Sequence, residues 1–228
     1  MRGIVLPGAF RPRSDTWLLA RTARREPGTR VLELCAGPGL VGIAVVKDRP
    51  GATLTTVDIS RRAALNVRIN ARLNGVRVRA RRGDLFDALD GERFDLIIAN
   101  PPYVPGPPPP ARGAARAWDA GDDGRALLDR ICAEAPRHLT PGGTLLIVHS
   151  EVCGIGATLE AFQRAGLDAD VVATERGPLG PLLRGRREEL EASGRLRPGQ
   201  DEEDVMVLRG RLAGMRNADD RHRDHALP

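Results

Sequence analysis

Residues 29–46 read TRVLELCAGPGLVGIAVV, and this stretch decides the fold. A short β-rich run at 29–34 leads into a glycine-rich turn at 35–39, and an apolar helical stretch follows at 40–46. Strand, glycine-rich turn and helix in this order are typical of the first unit of an open α/β sheet. Ligands of such sheets bind at the carboxyl ends of the strands, so the turn predicts one wall of a site.

The same alternation continues along the chain. Strand candidates lie at 52–58, 76–80, 94–99 and 143–149, and helix candidates at 60–74, 123–138 and 154–165. This pattern predicts a Rossmann-like, doubly wound and mostly parallel α/β sheet. The last two strand candidates, at 168–174 and 204–211, flank a polar helix at 182–192 and predict a closing hairpin. We therefore expect seven strands with an antiparallel C-terminal strand.

The length of 228 residues fits one main domain with short additions. We expect an N-terminal arm at 1–28, which includes a helix at 14–25 capped by Ser14 and Asp15. The main domain then covers 29–211. Residues 212–228 are too polar to bury a core and are predicted to be disordered.

Charge and cysteine content limit the classes of partner. The net charge is +5 and the charge is almost entirely arginine, which suits an anionic partner such as nucleic acid. The arginines are spread along the sequence and few aromatic residues interleave with them, so a dedicated nucleic-acid-binding protein is the less favoured hypothesis. Three cysteines without a CxxC pair predict reduced cytoplasmic thiols and no metal site. No apolar run is long enough for a membrane span.

Acidic residues follow the first three predicted strands. Asp58 ends the second strand and can accept hydrogen bonds from two ribose hydroxyls, while Asp84 and the Leu85 backbone can meet an adenine ring. The turn that ends at Gly39 is not GxGxxG, which argues against a dinucleotide. Glu33, Asp58 and Asp84 would give the site an acidic lining, which favours a cationic ligand. These residues predict S-adenosylmethionine.

The sequence Asn100-Pro101-Pro102-Tyr103 follows a predicted buried strand. A planar amide or amino nitrogen is a poor nucleophile because its lone pair is delocalised. The Asn100 side-chain oxygen and the Pro101 carbonyl can accept its two hydrogens, and Tyr103 can stack on the planar group. The prolines fix the loop. The loop therefore predicts methyl transfer to a planar NH2 nitrogen, with Asn100, Pro101 and Tyr103 as the catalytic group.

Four stretches carry a resemblance to a known family: residues 15–19, 33–39, 84–85 with 100–104, and 117–125. The chain resembles the HemK family of class I methyltransferases, and most closely the short release-factor enzymes of eukaryotes and archaea. The resemblance implies a protein glutamine side chain as the methyl acceptor, of the kind found in translation release factors. It implies cofactor contacts by Thr16, Glu33, Cys35, Gly37, Gly39, Asp58, Asp84, Leu85 and Asn100. It implies substrate contacts by Pro102, Tyr103 and Trp118.

The sequence departs from the family pattern at three places. Cys35 stands where the family usually has a glycine, and Arg11 where it commonly has an acidic residue. The N-terminal recognition domain of the longer bacterial enzymes is not expected before the first strand. The short enzymes act with a small zinc-binding activator subunit. Whether this chain needs one stays open, because residues 177–200 could cover the same surface.

Three alternatives remain from the sequence. An amino-methyltransferase acting on adenine or guanine in nucleic acid uses the same planar nitrogen chemistry. A small-molecule amine or amide is another acceptor class. A cofactor-binding module without catalysis is favoured only by Cys35.

Overall fold

A computed structural model of the chain describes residues 1–7, 10–110 and 113–214. Its centre is a seven-stranded sheet of order β3-β2-β1-β4-β5-β7-β6. The strands are β1 (Arg30–Leu34), β2 (Thr53–Asp58), β3 (Val78–Arg82), β4 (Phe94–Ala99), β5 (Leu139–Ser150), β6 (Leu167–Pro178) and β7 (Glu202–Leu212). Strands β1 to β5 are parallel, and β7 runs antiparallel to β5 and β6. The predicted mixed sheet and closing hairpin are confirmed.

Helices cover both faces of the sheet. They are α1 (Ser14–Ala23), α2 (Leu40–Val46), α3 (Arg61–Leu73), α4 (Ala126–Glu134), α5 (Ile155–Arg164), α6 (Pro181–Gly185) and α7 (Arg187–Ala192). Alternate residues of β1 enter opposite cores: Leu32 packs in the cluster with α4 and α5, and Val31 in the cluster with α1 and α2. None of the helices in the described ranges has both the length and the apolarity to span a bilayer.

Two helix predictions need correction. The cap of α1 is Arg13, because its backbone N–H donates to the Thr16 hydroxyl at 3.2 Å; Ser14 and Asp15 are already inside the helix. The helix predicted at 182–192 is broken at Arg186 into α6 and α7. The Arg186 side chain reaches across to the Pro105 carbonyl at 2.6 Å, which is a contact that local sequence does not encode.

The N-terminal segment runs along α3 on a row of asparagines. The backbone N–H groups of residues 2, 4 and 6 each donate at 2.9 Å to the side chains of Asn74, Asn70 and Asn66 respectively. These three asparagines, which we call the asparagine ladder, are four residues apart: Asn66 and Asn70 share one face of α3, and Asn74 is its C-terminal cap. The predicted tail lies outside the described residues from 215 onwards, and residue 212 belongs to β7.

Candidate active site

A cavity of about 1390 Å³ opens at the carboxyl ends of β1, β2, β3 and β4. Parallel α/β sheets bind ligands at this edge. Most of the predicted site residues line the cavity: Cys35, Gly37, Asp58, Asp84, Leu85, Asn100, Pro101, Pro102, Tyr103 and Trp118. Three others, Thr16, Glu33 and Gly39, do not line it.

The turn after β1 is held by Asp58. One carboxylate oxygen accepts the Gly37 N–H at 2.8 Å, and the other accepts the Ser60 N–H at 2.8 Å. Burial raises the pKa of the Asp58 carboxyl, and the two backbone hydrogen bonds oppose that rise. Each carboxylate oxygen has a second lone pair, so Asp58 retains the capacity to accept two hydroxyl donors.

Two residues of the cavity wall have left-handed backbones although neither is glycine. The φ angles are 51° at Cys35 and 46° at Leu85. Such conformations cost free energy for residues with a Cβ, and they concentrate at functional sites. The φ angle at position 35 gives a physical reason for a glycine there. Burial raises the pKa of the Cys35 thiol well above its ordinary value, so the thiol is neutral.

Asp84 lines the cavity and also forms an ion pair with Arg130. Its two carboxylate oxygens accept hydrogen bonds from Arg130 at 3.2 and 3.0 Å. Both side chains are partly exposed, so the ion pair is screened and exchangeable. Any contact of Asp84 with an adenine ring would share the carboxylate with Arg130.

The Asn100 side chain is oriented by hydrogen bonds that run back to α1. Its Nδ2 donates to the Thr16 hydroxyl at 3.3 Å, and that hydroxyl donates to Asp15 Oδ1 at 3.0 Å. Because the single hydroxyl proton of Thr16 goes to a carboxylate, the hydroxyl can only accept from Asn100. The amide nitrogen therefore faces Thr16, and Oδ1 lies on the other branch of the amide as an acceptor.

Tyr103 is anchored by the same carboxylate. Its hydroxyl donates to Asp15 Oδ2 at 2.9 Å, and burial followed by the charge of Asp15 raises the pKa of the phenol well above its ordinary value. The ring is half-buried in the cavity wall. The next residue, Val104, donates its N–H to the Trp118 carbonyl at 2.9 Å, which pins the loop to the segment before α4.

The three predicted site residues that do not line the cavity contact other parts of the fold. Glu33 is 5% exposed and its Oε2 accepts the Gly42 N–H of α2 at 3.0 Å. Burial raises the pKa of the Glu33 carboxyl from 4.5 to about 8. A Cβ at Gly39 would meet Val67 of α3 at 2.9 Å. Thr16 stands behind Asn100, and direct cofactor contacts for all three stay predictions.

Sequence reasoning missed two buried acidic residues of the cavity. Asp15 joins Thr16 and Tyr103, and its only sequence signal was its place beside Thr16. Glu203 on β7 lines the cavity, is 8% exposed and accepts the Gly180 N–H at 2.8 Å. Burial raises the pKa of the Glu203 carboxyl. Glu203 reaches the site only because β7 pairs with β5 and β6. That pairing is a long-range contact, so no local sequence motif marks the residue.

Residues 11–173 match the family model described as Methyltransferase small domain. The release factor glutamine methyltransferase of Geobacter sulfurreducens is 33% identical over 195 residues, which cover 80% of this chain and 67% of that protein. The ribosomal protein uL3 glutamine methyltransferase of Bradyrhizobium diazoefficiens is 41% identical over 144 residues, or 60% of this chain and 43% of that protein. The chain thus spans less than half the length of the second relative.

A solved structure from E. cuniculi has the same fold. It is the Mtq2-Trm112 complex, described as responsible for methylation of the eRF1 translation termination factor. The TM-score is 0.64 at 20% identity, and the match covers 90% of this chain and 99% of the matched chain. At this identity the likeness establishes the fold alone, which is that of a class I methyltransferase.

Proposed function

Because the chain belongs to the methyltransferase small domain family, we propose that it methylates the side-chain amide nitrogen of a glutamine in a protein of the translation machinery. The observation that carries the proposal is the Asn100 amide, whose nitrogen is held by Thr16. That arrangement leaves Oδ1 to accept an N–H of a planar acceptor group. The named activities of the two relatives, on a release factor and on ribosomal protein uL3, support this acceptor class.

The cavity fits S-adenosylmethionine as the methyl donor. Asp58 retains lone pairs for ribose hydroxyls, and a carboxylate at this place in the wall favours a sulfonium cation nearby. Among the residues that the structure describes, a Cβ at Gly37 would meet only Phe10, at 3.9 Å, so the turn leaves room for a ligand against its backbone. When bound, this cofactor supplies an electrophilic methyl group.

The residues of the loop orient the acceptor. Asn100 Oδ1 and the Pro101 carbonyl accept the two hydrogens of the amide, which fixes the plane of the group. Tyr103, anchored on Asp15, limits the position of that plane. As positive charge develops on the nitrogen, both hydrogen bonds strengthen, so the transition state gains more than the ground state.

The N-terminal arm and the segment after β6 would each contribute residues around the active site. Residues 29–211 would form the catalytic domain, and residues 1–28 an arm that supplies Asp15 and Thr16. Residues 179–184 line the cavity, and Arg186 ties them to the loop through the Pro105 carbonyl. This contact supports a chain whose own segment covers part of the site. Its substrates would be cytoplasmic.

The test uses Asn100→Ala, with a release factor and ribosomal protein uL3 as acceptors and mass spectrometry of glutamine methylation. We expect kcat to fall by about 10²–10³ while the Kd for S-adenosylmethionine changes little, because the lost contact is made mainly in the transition state. Asn74→Ala, which removes the same group at the C-terminal cap of α3, is the matched control and should keep normal activity. Full activity of Asn100→Ala, or methylation of nucleic acid and of neither protein, would contradict the proposal.

A further inference from the structure

Residues 59–83 hold a concentration of positive charge. The segment contains eight arginines and no aspartate or glutamate, whereas the whole chain has a net charge of only +5. Arginines occur along the whole sequence, but in this segment they are concentrated, contrary to an even spread. It forms α3 and β3, the helix and the edge strand next to the cavity.

Six of these arginines form one surface, which we call the arginine surface. They are all exposed: Arg61, Arg62, Arg68, Arg72, Arg77 and Arg82. A side-chain contact joins the helix to the strand, since Arg68 donates to the Ala80 carbonyl at 3.0 Å. Arg82, at the end of the strand, donates to the Ile59 carbonyl just before the helix at 3.2 Å. Within the described ranges, none of the six forms an ion pair.

The neighbouring arginines behave differently. Arg79 and Arg81 of β3 share the Glu92 carboxylate, each at 2.6 Å, whereas the arginine surface has no ion-pair partner among the described residues. Like charges that are clustered repel one another, and a polyanionic partner removes that repulsion. Guanidinium groups bind phosphate oxygens through paired hydrogen bonds.

We propose that the arginine surface docks on the phosphate backbone of double-helical RNA. No aromatic residue occurs at 59–83, so the surface lacks the stacking platforms that bind single strands. RNA is favoured over DNA because the proposed acceptors are translation proteins that meet ribosomal RNA, and to that extent the inference rests on the proposed function.

The arginine surface reaches the mouth of the cavity. Arg61, Arg62 and Arg82 line the cavity, while Arg68, Arg72 and Arg77 lie outside it. The 13 residues of α3 extend the surface over about 20 Å. RNA docked there would lie beside the opening through which an acceptor glutamine enters, and it would bring the enzyme to acceptors that are near RNA.

The test is fluorescence anisotropy of the full chain with a labelled RNA duplex of about 16 base pairs, titrated at several salt concentrations. The variant Arg68→Gln/Arg72→Gln/Arg77→Gln removes three charges outside the cavity. We expect its affinity to be at least about tenfold lower and its log–log salt slope to be smaller by about 3. The control Arg25→Gln/Arg137→Gln/Arg197→Gln removes three other exposed arginines and should bind like the wild type.

Competition with unlabelled RNA, the same duplex as DNA, and polyglutamate identifies the partner. More effective competition by DNA or polyglutamate, equal loss in both triple variants, or no salt-dependent binding by the wild type would overturn the proposal. Methylation of the free acceptor protein is measured in parallel and should be normal in both variants. A wild type that binds RNA but methylates neither protein would contradict the proposed function and leave the docking surface standing.

Discussion

At the scale of single residues, the hydroxyl proton of Thr16 decides which way the Asn100 amide faces. That proton goes to Asp15, so the hydroxyl accepts from Asn100 Nδ2. The resemblance assigned Thr16 to the cofactor, whereas the structure places it behind Asn100 and outside the cavity wall. We therefore treat Thr16 as a positioning residue whose effect should appear in turnover.

Replacing Thr16 separates these two roles. Thr16→Val keeps the shape but removes the acceptor, so Asn100 loses one hydrogen bond of about 1 kcal/mol and its amide is no longer oriented. We expect kcat to fall about tenfold with little change in the Kd for S-adenosylmethionine. Thr16→Ser should restore turnover. A higher Kd with unchanged kcat would instead support direct contact with the cofactor.

The left-handed backbone at Cys35 gives a second prediction at this scale. Cys35→Val places a β-branched side chain at a positive φ angle and should lower the free energy of unfolding by about 1–2 kcal/mol. Cys35→Gly accepts this φ angle and should change stability by less than about 1 kcal/mol. Urea unfolding measures both variants. Equal stability of the two would show that the turn rearranges to accommodate the side chain.

At the scale of elements, local patterns in the sequence predicted the helices and strands well. The strand at 94–99 and the helix at 40–46 have the predicted bounds, because apolar runs and turn residues are local signals. The break at Arg186 was not predicted, since its partner Pro105 is 81 residues away. Glu203 was missed for the same reason: only pairing with β5 and β6 places β7 beside the cavity.

The asparagine ladder allows a prediction about the N-terminal segment. Asn70 both accepts from the Ile4 N–H and donates to the Ile4 carbonyl at 3.0 Å, and it also donates to the Pro38 carbonyl. Asn70→Ala leaves the Ile4 N–H and the Pro38 carbonyl without this partner, while the Ile4 carbonyl still accepts from Asn66 Nδ2 at 3.0 Å. The loss should cost about 1–3 kcal/mol. Hydrogen exchange should show faster exchange at residues 2–6. Asn74→Ala, at the exposed end of the ladder, should have a smaller effect, and unchanged exchange in Asn70→Ala would refute the role of the ladder.

At the scale of the whole molecule, two buried groups set how stability depends on pH. Glu33 has a raised pKa of about 8, so its contribution is complete below 4.5 and is lost as the pH rises through 8. Burial lowers the pKa of His149 from 6.5 to about 4, so its contribution is lost as the pH falls through that interval. The two effects oppose each other between 4.5 and 6.5, and above 6.5 only the Glu33 effect of the two remains.

Glu33→Gln tests this balance. The amide oxygen can still accept the Gly42 N–H, but the side chain no longer ionises. Wild-type stability should decline by about 2 kcal/mol between pH 6.5 and 8, and the variant should lose that decline. Urea unfolding without cofactor at a series of pH values gives the comparison. Parallel pH profiles for the two proteins would show that Glu33 is not the responsible group.

The position of β7 also governs how the protein forms during translation. It is the last strand in the described chain, yet it lies inside the sheet between β5 and β6. Until the ribosome has released it, β6 has no neighbour to pair with, and the edge of β5 is open. Since β7 also contributes Glu203 and Val205 to the cavity, a nascent chain that has already formed its glycine-rich turn still lacks one wall. Assembly of the active site is thus coupled to the synthesis of β7, and a chain interrupted before β7 has a vacant slot in its sheet that suits a foreign strand.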